Sequence, residues 1–315
     1  MPYVPSELPG SPPADADRLA EMIQSARRRL VLPFLLPTLI VYTALIFVPL
    51  ALTIAYSFTN WQGHSLERPF FGLGNYRLLL LDPQVRTAFA HTGVFAAAGG
   101  VVVFVPALFF SWALTRGIRF KAAFRYLLIA PLVLSVVVVG LLWKLLYNPV
   151  FGPIDVFLRA IGLDSLALPW LGDSRTALAA VIVATAWHQL GMWILLLGAG
   201  LERIPQELGE AARVDGASEW QVYRLITLPL LWGVLRLLFV LWMILSLQVF
   251  AQVWVMIPHG GAAGAAEVIS TLIYKRAFAS QQWGLACALA TVLMLVIFTA
   301  SMAAERLTRR DTVEF

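Results

Sequence analysis

Residues 176–201 read TALAAVIVATAWHQLGMWILLLGAGL, and this run of 26 residues contains no Asp, Glu, Lys or Arg. A helix needs about 20 apolar residues to cross a hydrocarbon core that is roughly 30 Å thick. Inside lipid only helices and closed barrels satisfy their own backbone hydrogen bonds, and a barrel strand needs only about 9–11 residues. The run therefore predicts a transmembrane α-helix.

Uncharged apolar blocks of comparable length recur along the chain. Hydrophobic residues make up 60% of the 315 positions and charged residues 13%, whereas a soluble domain has about a quarter charged residues. The sequence predicts an all-α, multi-pass protein of the cell (inner or plasma) membrane with about six transmembrane helices. The other five predicted spans lie within 30–66, 88–115, 126–143, 237–266 and 277–304.

The basic residues predict the orientation in the bilayer, because cytoplasmic flanks of spans are enriched in Lys and Arg. Alternate segments hold 15 of the 23 basic residues, and both termini should therefore face the cytoplasm. The 15 are Arg18, Arg27, Arg28, Arg29, Arg116, Arg119, Lys121, Arg125, Arg203, Arg213, Arg224, Arg236, Arg306, Arg309 and Arg310.

The net charge of +5 does not indicate a nucleic-acid partner, because the charges lie between spans rather than on one soluble face. The lone Cys287 excludes both a disulfide framework and a cysteine metal cluster.

The domain organisation follows from these spans. We expect a cytoplasmic N-terminal tail at 1–29, a transmembrane domain at 30–305 and a cytoplasmic tail at 306–315. Within the first tail, apolar residues recur at helical spacing, which fits either an interfacial helix or a plain cytoplasmic helix. These residues are Leu19, Met22, Ile23, Ala26 and Leu30.

The loop at 202–229 has the signals of two short helices. Pro205 suits the first position of a helix, and Gly216 suits the left-handed residue that ends one. Ser218 followed by Gln221 forms a capping box for a second helix, which Pro229 should close. A loop that only connected two spans would need fewer residues, so we expect a partner to dock here.

The motifs in this loop carry a resemblance to a known family. Residues 210–217 read EAARVDGA and residues 226–229 read ITLP. They resemble the EAA loop of ABC-importer permeases, which has the form EAA-x-x-DGA followed by I-x-LP. The resemblance implies that an ATPase subunit is coupled through Glu210, Ala211, Ala212, Asp215, Gly216, Ala217, Leu228 and Pro229.

The remainder of the chain resembles the longer partner of the two unlike permeases in maltose-type sugar importers. Residues 57–61 read SFTNW and residues 71–76 read FGLGNY, like the first outer segment of that subunit. Family members often have Phe-Asp and then a glycine-rich turn before the last span, whereas this chain has Phe250-Ala251 and then PHGG at 258–261. The departure concerns an outer loop only.

The resemblance implies a division of labour among several proteins. An extracytoplasmic solute-binding protein delivers a sugar or sugar-like solute, and a second homologous permease completes the path. Two separate ATPase subunits bind ATP and Mg and drive transport. The sequence has no G-x-x-x-x-G-K-[ST] loop, so we expect no cofactor and no catalytic role for this chain.

Polar residues near the middle of spans are candidates for the solute path, because buried polar groups in lipid are costly unless paired. Amide, imidazole and indole groups match the hydroxyls and apolar faces of a sugar. Hydrogen bonding between helices would use the same residue types. We expect Gln248 and Gln252 to share one helix face. The candidates are Trp187, His188, Gln189, Trp193, Ser246, Gln248 and Gln252.

Two other function classes fit less well. An ion-coupled transporter usually keeps a carboxylate within a span, and no Asp or Glu lies inside the six blocks taken as spans. A membrane enzyme needs a nucleophile with its base or metal ligands, but the histidines are widely separated and no HExxH or GxSxG motif occurs.

Overall fold

The computed structural model describes residues 33–115, 119–261 and 264–308. Within these ranges the regular structure is helical, and the extended pairing is one isolated antiparallel bridge between Thr59 and Phe70. The predicted interfacial helix near the N-terminus and residues 309–315 lie outside the described residues. The sequence-based expectation of an all-α protein is confirmed.

Short helices separate the long ones along the described chain. In order, they are α1 (Pro33–Tyr56), α2 (Gly74–Leu81), α3 (Pro83–Thr115), α4 (Lys121–Ile129), α5 (Val136–Leu146), α6 (Pro153–Ala160), α7 (Ala177–Leu201), α8 (Gln206–Val214), α9 (Glu219–Leu230), α10 (Trp232–Leu247), α11 (Ala251–Met256), α12 (Ile269–Tyr274) and α13 (Trp283–Thr308).

The membrane-spanning capacity agrees with the predicted number. Four helices, α1, α3, α7 and α13, are long and apolar enough to cross a bilayer. Two bent pairs pass the same test as broken spans, which gives up to six. Lys121–Val133 and Val136–Leu146 meet at 104°, and Glu219–Leu230 and Trp232–Leu247 meet at 66°.

The chain divides into two compact units, Met1–Ala55 and Tyr56–Phe315. In the first unit the described residues form nearly all of α1, a helix with a mean hydropathy of 2.3 and a π turn at Thr43–Phe47. All the packing described below lies within the second unit.

The break in the third span has a local cause. Pro131 lies in the first turn of a short 3-10 helix, Ala130–Val133, and lacks the N–H that a continuing α-helix would need. The chain is extended at Leu134, and Ser135 then caps α5, its Oγ accepting from the Val138 N–H at 3.3 Å. Pro131 therefore lies at the sharp bend of 104° in this span.

An aromatic cluster holds α3, α7 and α10 together. The ring of Trp193 lies 5.1 Å from that of Phe104 and 5.8 Å from that of Trp242, measured between centroids. Trp242 donates its indole N–H to the Ala96 carbonyl at 2.8 Å. Gly99 permits this approach, because a Cβ there would lie 2.9 Å from Trp242 Cζ2. The centre of the second unit is thus a closely packed junction of three helices.

The fifth predicted span differs from the structure. The block at 237–266 is not one helix, because α10 ends at Leu247 and α11 begins at Ala251. A turn at Pro258–Gly260 follows, with His259 in the left-handed region at φ 59°. Apolar composition alone does not reveal a helix break whose second helix has its own packing partners. Here α11 packs beside α5, where Gly140 faces Val255.

Candidate functional site

The loop between α7 and α10 folds into two short helices, α8 and α9, as the sequence predicts. Pro205 is the residue before the first helical position rather than the first position itself. Gly216 has φ +87°; its N–H donates to Arg213 O at 3.0 Å, and the Ala217 N–H donates to Ala212 O at 2.9 Å. This pair of bonds is a Schellman motif, which requires a left-handed residue and so favours glycine.

The capping box is also present at the start of α9. The Ser218 N–H donates to Gln221 Oε1 at 2.7 Å, and the Gln221 N–H donates back to Ser218 Oγ at 3.4 Å. Pro229 lies one residue before the end of α9 at Leu230, where the chain bends by 66° into α10, so the helix closes at this proline as the sequence predicts. A π turn at Tyr223–Thr227 precedes Pro229, and helical backbone continues to Leu230. Proline is tolerated there because it lies at the beginning of a new helical turn, where its missing N–H is not needed.

An ion pair connects the two helices. Arg213 Nε lies 2.7 Å from Glu219 Oε1. The hydrogen bond to Glu219 and its negative charge raise the pKa of the Arg213 guanidinium, so this side chain stays charged. Glu210, Arg213 and Glu219 line a cavity of about 380 Å³ together with Lys121 and Tyr223.

The residues assigned to coupling are mostly accessible. Glu210, Ala211, Asp215, Gly216 and Pro229 are exposed. The other three, Ala212, Ala217 and Leu228, are half-buried. Among the residues assigned to coupling, the exposed carboxylates are those of Glu210 and Asp215.

His188 connects α7 to the break in the third span. Its Nε2 lies 3.0 Å from the Leu134 carbonyl oxygen. A carbonyl only accepts, so Nε2 carries the proton. Nδ1 is buried and has no hydrogen-bond partner among the described residues. A neutral ring in this tautomer would have a free acceptor in the interior.

The neighbours of His188 point in other directions along α7. Trp187 is exposed, with its ring 5.8 Å from that of Trp143. Gln189 is half-buried, and its Oε1 is buried without a hydrogen-bond partner among the described residues. Trp193 lies fully buried in the aromatic cluster, so the structure brings it next to Trp242 rather than to a surface.

The polar residues after the middle of α10 are separated by the helix break. Ser246 is buried and donates to the Met243 carbonyl at 3.2 Å. Gln248 is exposed at the end of α10, whereas Gln252 is buried in α11 with Nε2 3.6 Å from Met256 Sδ. The prediction that Gln248 and Gln252 share one helix face was wrong, because α10 ends before Gln248 and Gln252 lies in the separate helix α11.

Sequence reasoning missed a half-buried ion pair next to the last span. Glu267 is buried, and Lys275 Nζ lies 3.3 Å from its Oε1. His91 Nδ1 also contacts the Glu267 carbonyl oxygen at 3.1 Å. Glu267 lies one residue beyond the apolar block at 237–266, and the Lys275 that follows it was the available signal. Among the described residues, no three His, Cys, Asp or Glu side chains come together as metal ligands.

Comparison with known proteins connects this geometry to a family. Residues 107–310 match the model of the family described as binding-protein-dependent transport system inner membrane component. A probable ABC transporter permease of Bacillus subtilis, YurN, is 33% identical over 85% of this chain and 92% of its own length. The multiple sugar-binding transport system permease MsmF of Streptococcus mutans is 31% identical, covering 89% and 95%.

A solved structure has the same fold. The structure of a bacterial ABC transporter involved in the import of the acidic polysaccharide alginate includes a chain that aligns with a TM-score of 0.80. The alignment covers 94% of this chain and all of that one, at 23% identity. The matches in family model, sequence and fold agree, and the chain belongs to the family of binding-protein-dependent transport system inner membrane components.

Proposed function

We propose that this chain and a second, homologous permease form the path of an ABC importer for a sugar or sugar-like solute. An extracytoplasmic binding protein delivers the solute, and two separate ATPase subunits drive transport. The observation that carries the proposal is the α8–α9 loop, because its EAARVDGA sequence forms the end of α8 and the glycine turn that leads into the capped helix α9. The names of the relatives support the solute class, since they include permeases for multiple sugars and for sn-glycerol-3-phosphate.

The proposed orientation places both termini and the α8–α9 loop in the cytoplasm. The 15 basic residues in alternate segments support it. The expected domain limits, 1–29, 30–305 and 306–315, follow the same reasoning, although α13 extends through Thr308.

The coupling surface would comprise the exposed side of α8 and the turn after it. Glu210 would make the main charged contact with a cationic group of the ATPase subunit. Gly216 would set the angle between the helices, and the Arg213–Glu219 ion pair would stabilise that angle. Ala211, Ala212 and Ala217 leave room for a partner helix because their side chains are small. ATP and Mg would be bound by the ATPase subunits, and this chain would be non-catalytic.

The proposed solute path includes the polar residues on α7 and at the α10–α11 break. The buried acceptors His188 Nδ1 and Gln189 Oε1 have no hydrogen-bond partner among the described residues, and solute hydroxyls would supply donors to them. Trp187 and Gln248 are exposed and add a flat apolar face and an amide. Three further candidates are buried and would hold the path-lining residues in position without contacting the solute: Ser246, Gln252 and Trp193.

Reconstitution in proteoliposomes tests the proposal. The chain would be purified with a second permease, ATPase subunits and a binding protein from the same organism, and uptake of a panel of labelled sugars would be measured. We expect uptake of at least one sugar that requires both the binding protein and ATP inside the vesicles. Uptake that persists without ATP or without the binding protein would exclude this mechanism.

A further inference from the structure

The short helix α6 has an inverted distribution of polar and apolar side chains. Asp155 faces inward and is only 2% exposed, whereas Val156 is 56% and Phe157 62% exposed. Val150 and Phe151, which precede the helix, are exposed as well. In water a helix with these residues would turn its apolar side inward, because burial of a carboxylate is costly and burial of apolar surface is favourable.

Specific contacts fix this orientation. The Trp170 indole N–H donates to Asp155 Oδ1 at 2.7 Å. Trp170 is held in turn by Tyr147, whose ring lies 5.7 Å away, and by Thr176, whose hydroxyl donates to the Trp170 carbonyl at 2.8 Å. Ile154 packs against the same core. The outward position of Val156 and Phe157 is therefore part of the folded structure.

The helix that precedes α6 in the chain also exposes apolar side chains. On α5, the second half of the broken third span, Val137, Val138, Leu141 and Leu145 are exposed. Six residues connect α5 to α6, in a turn where Asn148 Oδ1 accepts from the Val150 N–H at 2.9 Å. The turn is tight, since a Cβ at Gly152 would lie 2.3 Å from the Asn148 carbonyl oxygen. Hence α6 stays close to the end of the span.

We propose that α6 is an interfacial anchor that rests on lipid, with Phe151, Val156 and Phe157 among the upper acyl chains. Amphipathic helices of this kind lie in the plane of the membrane with their apolar side buried by about 5–10 Å. Arg159, exposed in the last turn, fits the same position because its guanidinium can reach lipid phosphates. Lipid of the bilayer would cover the exposed apolar side of α6, and the proposal requires only that the chain spans this bilayer.

Nitroxide labels test the proposal in the assembled transporter in lipid nanodiscs. Cys287 is replaced by alanine, and single cysteines are introduced as Val156→Cys and Phe157→Cys. Ser174→Cys is the control, because Ser174 is exposed between the charged residues Asp173 and Arg175. Relaxation of each label by oxygen, which concentrates in lipid, is compared with relaxation by a water-soluble nickel complex.

At positions 156 and 157 we expect several-fold stronger relaxation by oxygen than by the nickel complex, and the reverse at position 174. Labels at 156 and 157 that respond mainly to nickel would place α6 in water and overturn the proposal. Labels shielded from both reagents would place it against another protein, such as the second permease, and would overturn it equally. Two label positions are used because one of the substitutions alone could disturb the helix and give a misleading result.

Discussion

The Nε2 atom of His188 donates to the carbonyl oxygen of Leu134 at 3.0 Å, and this bond joins the middle of α7 to the break in the third span. Leu134 lies between the 3-10 turn and α5, where no continuous helix supplies N–H donors to the backbone carbonyls. A side chain from another helix thus stabilises the bend. A residue of the proposed solute path therefore stabilises the third span at its break.

His188→Ala should lower the stability of the assembled transporter, because it leaves the Leu134 carbonyl without its donor. The expected loss is about 1–3 kcal/mol. His188→Gln should recover part of it, since an amide N–H can donate to the same oxygen. Gln189→Ala is the comparison: it removes an unpaired group, and should keep the thermal midpoint while reducing uptake. An unchanged midpoint in His188→Ala, measured by thermal unfolding in nanodiscs, would contradict the tether.

Gly216→Leu should impair coupling by straining the turn between α8 and α9. A side chain in the left-handed region costs about 1 kcal/mol or more and would misdirect both helices. Gly162→Leu is a matched control, because Gly162 has φ +77° with no atoms near its Cβ position and lies outside the coupling loop. Co-purification of the ATPase subunits and uptake are measured for both. Equal co-purification and equal uptake for the two variants would contradict a role of the α8–α9 turn in coupling.

Glu210→Ala should weaken the association with the ATPase subunits, because their cationic partner would lose its charge-assisted hydrogen bond. Glu207→Ala serves as the control, since Glu207 is an exposed carboxylate one turn earlier in α8. The measurements are the amount of ATPase subunit that co-purifies and the rate of ATP-dependent uptake. Wild-type values for Glu210→Ala in both assays would exclude Glu210 as the main contact.

Gly99→Ala should destabilise the junction of α3, α7 and α10, because the added Cβ would lie 2.9 Å from Trp242 Cζ2. Overpacking of this kind costs about 1–3 kcal/mol. Gly93→Ala, on the same helix but with no atom within 4 Å of the Cβ position, should be neutral or slightly stabilising. Thermal unfolding of both variants checks the difference, and equal midpoints would contradict the packing described for Trp242.

The features that the sequence predicted well are those marked by local chemistry. The fourth span was predicted at 176–201 and lies at Ala177–Leu201, because Arg175 and Glu202 bound its uncharged run. Gly216 and the Ser218–Gln221 capping box were predicted because helix ends use few residue types. These signals need no knowledge of distant parts of the chain.

The features that the sequence did not reveal depend on tertiary contacts. Helix α10 ends before Gln248, but the sequence between Leu247 and Ala251 contains no proline or glycine that would indicate a break. The burial of Trp193 and the tether from His188 to Leu134 likewise depend on which helices become neighbours. Polar character near the middle of a span identified candidate residues for the solute path. It could not distinguish residues that pack helices together from residues that contact the solute.

Cysteine accessibility at position 215 tests the central claim most directly, namely that the α8–α9 loop is a cytoplasmic docking site. Asp215→Cys, in a chain with Cys287 replaced by alanine, is exposed to an impermeant thiol reagent. We predict no labelling in intact cells, labelling after permeabilisation, and reduced labelling when the ATPase subunits are bound. Labelling from outside intact cells would contradict both the orientation and the proposed coupling.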